Sequence, residues 1–173
     1  MLLIQRCGSD APSVQALVEK LAAFGKKHGL HLQALDPSAA YSPLCIRAAL
    51  EMQKSASASA KTPFNEKNTL LGTLALTQNF TRAIKTAGAK DARDFVLVAW
   101  ENAAWDTENA RGRIKGKEKI SRGKLSSALS LKKLAWGKKD NAHFSRLYAL
   151  STEARRLCPL EKLIIEKMAL ARI

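Results

Sequence analysis

The chain has 173 residues, 46% of them apolar, and its formal net charge is +14 because 29 Lys and Arg face 15 Asp and Glu. The length suits one domain with a sizeable core, and no apolar run reaches the ~18 residues that a membrane span needs. The three cysteines are far apart and form no CxxC pair, which argues against a disulfide framework and a zinc site. The positive charge favours a polyanionic partner. The free thiols favour a cytoplasmic protein, or one that is also nuclear if the organism is a eukaryote.

Short strands and helices alternate in the first third of the chain. The sequence predicts a strand over residues 2–6, a helix over 14–27, a strand over 31–35 and a helix over 43–53. The tract from Lys54 to Lys61 then alternates Ser and Ala between two lysines. We interpret this tract as a flexible loop in preference to a frayed helix end.

The middle of the chain predicts two helices on either side of a polar step. An apolar helix that begins near Asn65 ends at the step Thr77-Gln78-Asn79. A second helix over residues 80–87 closes with Gly88, and the apolar residues 94–100 predict a strand. This stretch contains no metal ligand set and no phosphate-binding loop, so it is typical of a scaffold that holds a partner.

A basic segment over residues 106–125 precedes the closing helices. Residues 111–124 hold seven Lys and Arg against one acid, Glu118, with three glycines among them. This composition predicts a flexible loop that could fold over phosphates. Residues 126–134 fit either a strand or a short helix, and helices are predicted over 142–149 and 152–172, with a break at Pro159.

The order of these elements predicts an α/β fold of the α+β kind. One small, mostly antiparallel sheet of three to four short strands would be surrounded by about seven or eight helices. Three or four short strands cannot cover this many helices symmetrically, so the helices should pack around the sheet. We expect a single domain over residues 1–173, with the basic loop 106–125 inside it.

Motifs of catalysis are absent from the sequence. It contains no GxxxxGK[ST], HExxH or GxSxG motif and no GxGxxG after a strand. Acid pairs such as Glu101 with Asp106 are typical of caps and solubilising charges rather than of an acid–base site. We therefore predict a protein that is not an enzyme, with no catalytic residues, no metal, no cofactor and no small-molecule substrate.

Several segments together resemble the small KEOPS subunit family, whose human member is PRPK-binding protein. The resemblance is centred on the apolar helix, the polar step and the run FTRAIKTAG (residues 80–88) before a strand. It continues in order through residues 30–37, 44–52, 130–134 and 147–151 and through the closing helix that ends at Ile173. The match therefore covers most of the chain.

The resemblance implies a non-catalytic subunit of the complex that makes threonylcarbamoyladenosine in tRNA. Family members bind the kinase-like ATPase subunit, and through it the rest of the complex, and they hold tRNA by its single-stranded 3′ CCA end. We expect both partners here, and no membrane. The alternative is a generic basic RNA-binding or ribosome-associated protein without a kinase-like partner.

Candidate binding residues fall into two groups. Cations near the two middle helices and in the basic segment would neutralise RNA phosphates. They are Lys61, Lys67, Arg82, Lys85, Lys90, Arg111, Arg113 and Lys115. An apolar helix face would dock on the kinase-like subunit, although a fully buried closing helix fits the same pattern. The candidate partner-binding residues are Leu44, Leu160, Leu163, Ile164 and Met168.

Overall fold

The computed structural model describes residues 2–59, 66–101 and 122–171, without the side chains of residues 54–59, 66–69 and 122. Within these ranges the chain forms four strands and eight helices. The strands are β1 (Leu2–Ser9), β2 (Leu30–Leu35), β3 (Phe95–Glu101) and β4 (Leu131–Lys133). The helices are α1 (Val14–His28), α2 (Pro43–Ser59), α3 (Glu66–Leu74), α4 (Phe80–Ala87), α5 (Arg122–Ala128), α6 (Asn141–Leu147), α7 (Thr152–Leu157) and α8 (Leu160–Leu170).

The four strands form one sheet in the order β2-β3-β1-β4. β1 is antiparallel to β3, with Leu2 opposite Trp100 and Cys7 opposite Phe95, and it is antiparallel to β4, with Cys7 opposite Lys133. β3 lies in the interior of the sheet, and its residues 95–100 are all buried. An unbroken apolar run suits a strand that is covered on both faces.

An ion pair joins β1 to the residue before β3. The Arg6 Nε donates a hydrogen bond of 2.7 Å to Asp94 Oδ1, and the Arg6 Nη2 donates one of 2.6 Å to Asp94 Oδ2. Two parallel bonds of this kind match the planar guanidinium to the carboxylate. This pairing commits the charge of Arg6 inside the fold and leaves it less available to an external phosphate.

The chain divides into two compact units, each built from two segments. The first unit contains Met1–Ala34 and Lys90–Ala135, and the second contains Leu35–Ala89 and Trp136–Ile173. In the second unit, α2 packs against α3 and α8, α3 packs against α4, and α7 packs against α8. The expectation of a single domain over residues 1–173 stays a prediction.

The predicted fold class is confirmed, because a small antiparallel sheet is combined with eight helices in the described ranges. The predicted break at Pro159 is also confirmed, since α7 ends at Leu157 and α8 begins at Leu160. Residues 126–134, which fit either a helix or a strand, contain both: α5 ends within them and β4 follows. None of the helices in the described ranges is long and apolar enough to cross a membrane.

Two predicted loops contain helix. α2 continues to Ser59, so the interpretation of the Ser-Ala tract as a flexible loop is wrong over residues 54–59. Alanine is the best helix former, and a helix that is already nucleated extends through it at little cost. α5 begins at Arg122, so the end of the predicted basic loop is helical as well. Residues 60–61 and 106–121 lie outside the described residues.

Candidate nucleic-acid interface

The turn after α3 sets the direction of α4. The Thr77 N–H donates a bond of 2.9 Å to the Gly72 carbonyl, and the Leu76 N–H donates one of 3.3 Å to the Thr73 carbonyl. These two bonds form a Schellman motif, in which Leu76 takes the left-handed position with a φ of 49°. Gly72 is needed because a Cβ there would approach the Thr77 carbonyl oxygen to 2.7 Å. The chain therefore reverses sharply and begins α4 at Phe80.

Side-chain hydrogen bonds hold both sides of this turn. Asn79 caps α4, since its Oδ1 accepts a bond of 3.0 Å from the Arg82 N–H. On the α3 side, the hydroxyl of the buried Tyr148 donates a bond of 3.0 Å to the Leu74 carbonyl. The polar step predicted from the sequence is thus a capping segment whose side chains satisfy free backbone groups.

α4 turns its small residues inward and its large residues outward. Ala83 and Ala87 are buried, whereas Phe80 and Ile84 expose 47% and 46% of their surfaces. Phe80 and Ile84 are four residues apart, so they are neighbours on the helix surface. An aromatic ring and an aliphatic chain therefore form a small apolar patch that faces solvent.

Two cations lie on the same short helix. Arg82 and Lys85 are exposed, and they are three residues apart. Within the described part of the chain, neither side chain forms a hydrogen bond or an ion pair. α4 contains no acidic residue that could neutralise them. Phe80 and Ile84 share one side of α4, whereas Arg82 and Lys85 lie around the helix from them, because residues one or two apart do not face each other. We call these four exposed residues together the α4 surface.

The α4 surface offers the chemistry of single-stranded nucleic-acid binding. Two exposed cations can neutralise backbone phosphates and release counterions. An exposed aromatic ring can stack on an unpaired base, and an arginine guanidinium can do the same. A double helix presents its bases stacked and paired, so a patch of this kind is better matched to a single strand.

The other predicted RNA-binding residues are not part of α4. Lys90 is exposed but belongs to the first unit, whereas α4 belongs to the second. Lys67 lies in α3, and its side chain is not described. The remaining predicted residues, Lys61, Arg111, Arg113 and Lys115, lie outside the described residues.

The predicted partner-binding face of the closing helix is buried. Leu163 is 8% exposed, and Ile164 and Met168 are 0% exposed, where α8 packs against α2. These buried side chains offer a partner almost no surface while α8 stays packed, so burial disfavours them as docking residues, and the assignment stays a prediction. Leu160 is partly buried, and Leu44 remains exposed at 52%.

Two of the cysteines are poor candidates for nucleophiles. Burial raises the pKa of the Cys7 thiol to about 12 and that of the Cys45 thiol to about 11. Both thiols therefore stay protonated at neutral pH, and the thiolate is the reactive form. Among the residues that the structure describes, no three His, Cys, Asp or Glu side chains come together as a metal site.

Sequence reasoning missed the apolar half of the α4 surface. It chose Arg82 and Lys85 by their charge and passed over Phe80 and Ile84, which fit a core stripe equally well. One signal was present in the sequence: Ala83 and Ala87 share the adjacent helix face. When the buried face of a short helix is made of alanines, its larger residues are expected to lie outside the buried contact.

The chain was compared with protein-family models and with curated proteins, and neither comparison found a match. A function must therefore be argued from the α4 surface, the net charge and the segments that carry the sequence resemblance.

Proposed function

We propose that this protein is a non-catalytic RNA-binding subunit that holds the single-stranded 3′ CCA end of tRNA on its α4 surface. Its place would be in the KEOPS complex, where it would bind the kinase-like ATPase subunit and support threonylcarbamoyladenosine modification. The observation that carries the proposal is that one short helix exposes both an apolar pair, Phe80 and Ile84, and two cations, Arg82 and Lys85.

The apolar pair and the cations have separate roles in this proposal. Phe80 would stack on an unpaired base, with Ile84 extending the apolar support. Arg82 and Lys85, on another side of the helix, would contact phosphates farther along the same strand. Stacking tolerates any base, so the preference for a 3′ end comes from its being single-stranded and reachable.

Two further features support the proposal. The net charge of +14 favours association with a polyanion over the whole surface. The residues of α4 are also the centre of the resemblance to the small KEOPS subunit family, so one short helix carries both lines of support.

Charge reversal on α4 tests the RNA part. Arg82→Glu with Lys85→Glu should weaken tRNA binding and reduce the slope of log affinity against log salt by about 1.4 to 1.8, since each phosphate contact contributes about 0.7 to 0.9. The matched control is Lys132→Glu with Lys133→Glu, which reverses two exposed cations of the first unit. Binding that both double variants weaken equally would remove the α4 surface from the site.

Complex formation tests the KEOPS part. Leu44 is the predicted docking residue that stays well exposed, on the first turn of α2. Leu44→Asp should prevent co-elution with the kinase-like ATPase subunit in gel filtration while circular dichroism shows an unchanged fold. A complex that forms as well with Leu44→Asp as with wild type would exclude docking through this residue.

The alternative, a generic basic RNA-binding or ribosome-associated protein, predicts different results. Such a protein would bind tRNA with and without its CCA end equally well, because a diffuse positive field does not read an end. It would also form no complex with the kinase-like ATPase subunit. Both results together would replace the proposed function by this one.

A further inference from the structure

A second basic feature lies in the second unit, and no residue of α4 lines it. It is a depression of about 430 Å³, lined by Asn141 and by residues 155–160. These residues span the end of α7, the break at Pro159 and the start of α8. None of the seven lining residues carries a carboxylate.

Two adjacent arginines give the depression its charge. Arg155 is held in place, because Nη1 donates a bond of 3.4 Å to Ser145 Oγ and Nη2 donates one of 3.2 Å to Thr152 Oγ1. Arg156 is exposed and forms no hydrogen bond or ion pair with the residues that the structure describes. One guanidinium is thus positioned and the other is uncommitted, which suits an anion with several acceptor oxygens.

The acids closest in sequence to the lining residues are Asp140, Glu153 and Glu161, and none of them lines the depression. Asp140 caps α6, and its Oδ1 accepts a bond of 2.9 Å from the His143 N–H. The His143 backbone hydrogen bond, the largest influence, holds the pKa of Asp140 below its usual value. Asp140 therefore stays ionised, and the exposed Arg146 on α6, which also lowers its pKa, partly offsets its charge.

We infer that this depression, the Arg155–Arg156 site, binds backbone phosphates of the same RNA that the α4 surface holds. The inference rests on the proposed function in assuming one RNA ligand, but it uses different residues. It adds a second, sequence-blind contact, so the RNA is held at a single-stranded end and again along its backbone.

An acidic protein segment fits this depression less well than RNA does. A stable protein interface needs an apolar centre, and the large apolar side chain that the lining exposes, Leu157 at 87%, stands next to the charged Arg156. A ribose or base edge can cover one leucine while the phosphates meet the guanidinium groups. The overall charge of +14 points the same way.

Neutralising the two arginines tests the inference. Arg155→Gln with Arg156→Gln should reduce the salt slope by about 1.4 to 1.8, for the loss of two phosphate contacts. The reduction should be equal for intact tRNA and for tRNA that lacks its CCA end. Lys26→Gln with Lys27→Gln, two exposed cations of α1, is the control and should leave the slope nearly unchanged.

Cys158 gives a second readout that needs no substitution. It lines the depression and is partly exposed, so iodoacetamide should label it in the free protein. Saturating tRNA should slow this labelling at least several-fold. Unslowed labelling, or a slope change no larger than that of the Lys26 and Lys27 control, would overturn the inference. Slowed labelling by a Glu-rich peptide but not by tRNA would also overturn it, in favour of a protein ligand.

The outcomes separate this inference from the proposed function. If the α4 double variant loses binding while the arginine double variant changes nothing, the proposed function stands and the second contact fails. If instead the arginine variant alone reduces the salt slope and CCA removal has no effect, the Arg155–Arg156 site stands and the CCA-binding function fails.

Discussion

α4 and α8 belong to the same unit, but the large apolar residues of α8 are buried and those of α4 are exposed. α8 turns Ile164 and Met168 fully inward against α2, whereas α4 leaves Phe80 and Ile84 about half exposed. Both helices show apolar residues at helical spacing, so the pattern alone predicts a buried stripe for each. The difference indicates that apolar residues serve the core in α8 and are available to a partner in α4.

The neighbours of each helix explain the difference. α8 is anchored at its first turn, where Glu161 accepts a hydrogen bond from the Ser42 hydroxyl at the start of α2. α4 packs against α3, and its buried residues are the small Ala83 and Ala87, whereas its larger apolar side chains stay about half exposed. When a helix packs through small residues, its large apolar side chains remain on the surface, where a partner can contact them.

The largest expected effect is the loss of the α8 core. Ile164→Asp would bury a charge at a position that is 0% exposed, and we expect it to cost more than about 4 kcal/mol of unfolding free energy. Leu170→Asp, on the same helix at a position 53% exposed, should cost about 1 kcal/mol or less. Urea unfolding of both variants measures the difference. A folded, stable Ile164→Asp protein would contradict the burial of α8.

The second effect is on RNA binding by α4. Phe80→Ala with Ile84→Ala should weaken binding of single-stranded RNA by about 1 to 3 kcal/mol for each stacked base lost. Stability should change little, because both side chains are about half exposed already. Fluorescence anisotropy with a short RNA that ends in CCA measures the affinity. Unchanged affinity together with a large loss of stability would show that the patch is core, as it is in α8.

A smaller effect concerns the cap that begins α4. Asn79→Ala removes the acceptor of the Arg82 N–H and should cost about 1 kcal/mol of unfolding free energy. Asn79→Asp keeps an acceptor and should restore most of it. Ser13→Ala is the matched variant at α1, because it removes the Ser13 hydroxyl that accepts a hydrogen bond of 3.1 Å from the Ala16 N–H. Equal stability of wild type and Asn79→Ala would mean that the cap does not hold α4 in place.

The smallest effect concerns the turn after α6. Ala149 has a φ of 49° and takes the same left-handed position as Leu76 does before α4. Ala149→Gly should raise the unfolding free energy by roughly 0.5 to 1 kcal/mol, since glycine adopts this conformation without strain. Thermal unfolding measures the gain. A loss of stability would show that the unfolded-state entropy of glycine outweighs the relief of strain.

Much of the fold could be predicted because its signals are local. Pro159 breaks the closing helices, and the polar step that ends at Asn79 precedes α4, both from residue type and position alone. The Ser-Ala tract was misread because composition describes an average tendency, whereas helix extension depends on the turn that comes before it.

The candidate site could be predicted only in part. Charge identified Arg82 and Lys85, since an exposed cation needs no tertiary contact to be recognised. Whether Ile164 is buried and Phe80 is exposed depends on which helix covers each face. The periodicity of apolar residues shows that a helix has an apolar face, but it does not show which element packs against that face. The Arg155–Arg156 site forms at a break between two helices, so its residues meet only through the turn at Pro159.

The most direct test of the central claim compares binding of intact tRNA with binding of the same tRNA lacking its CCA end, at two salt concentrations. We expect removal of the CCA end to weaken binding to the wild-type protein at both concentrations, and to have no further effect on the Phe80→Ala, Ile84→Ala variant. Equal binding of the two tRNAs by the wild-type protein, falling only with salt, would contradict the claim that α4 holds the 3′ end.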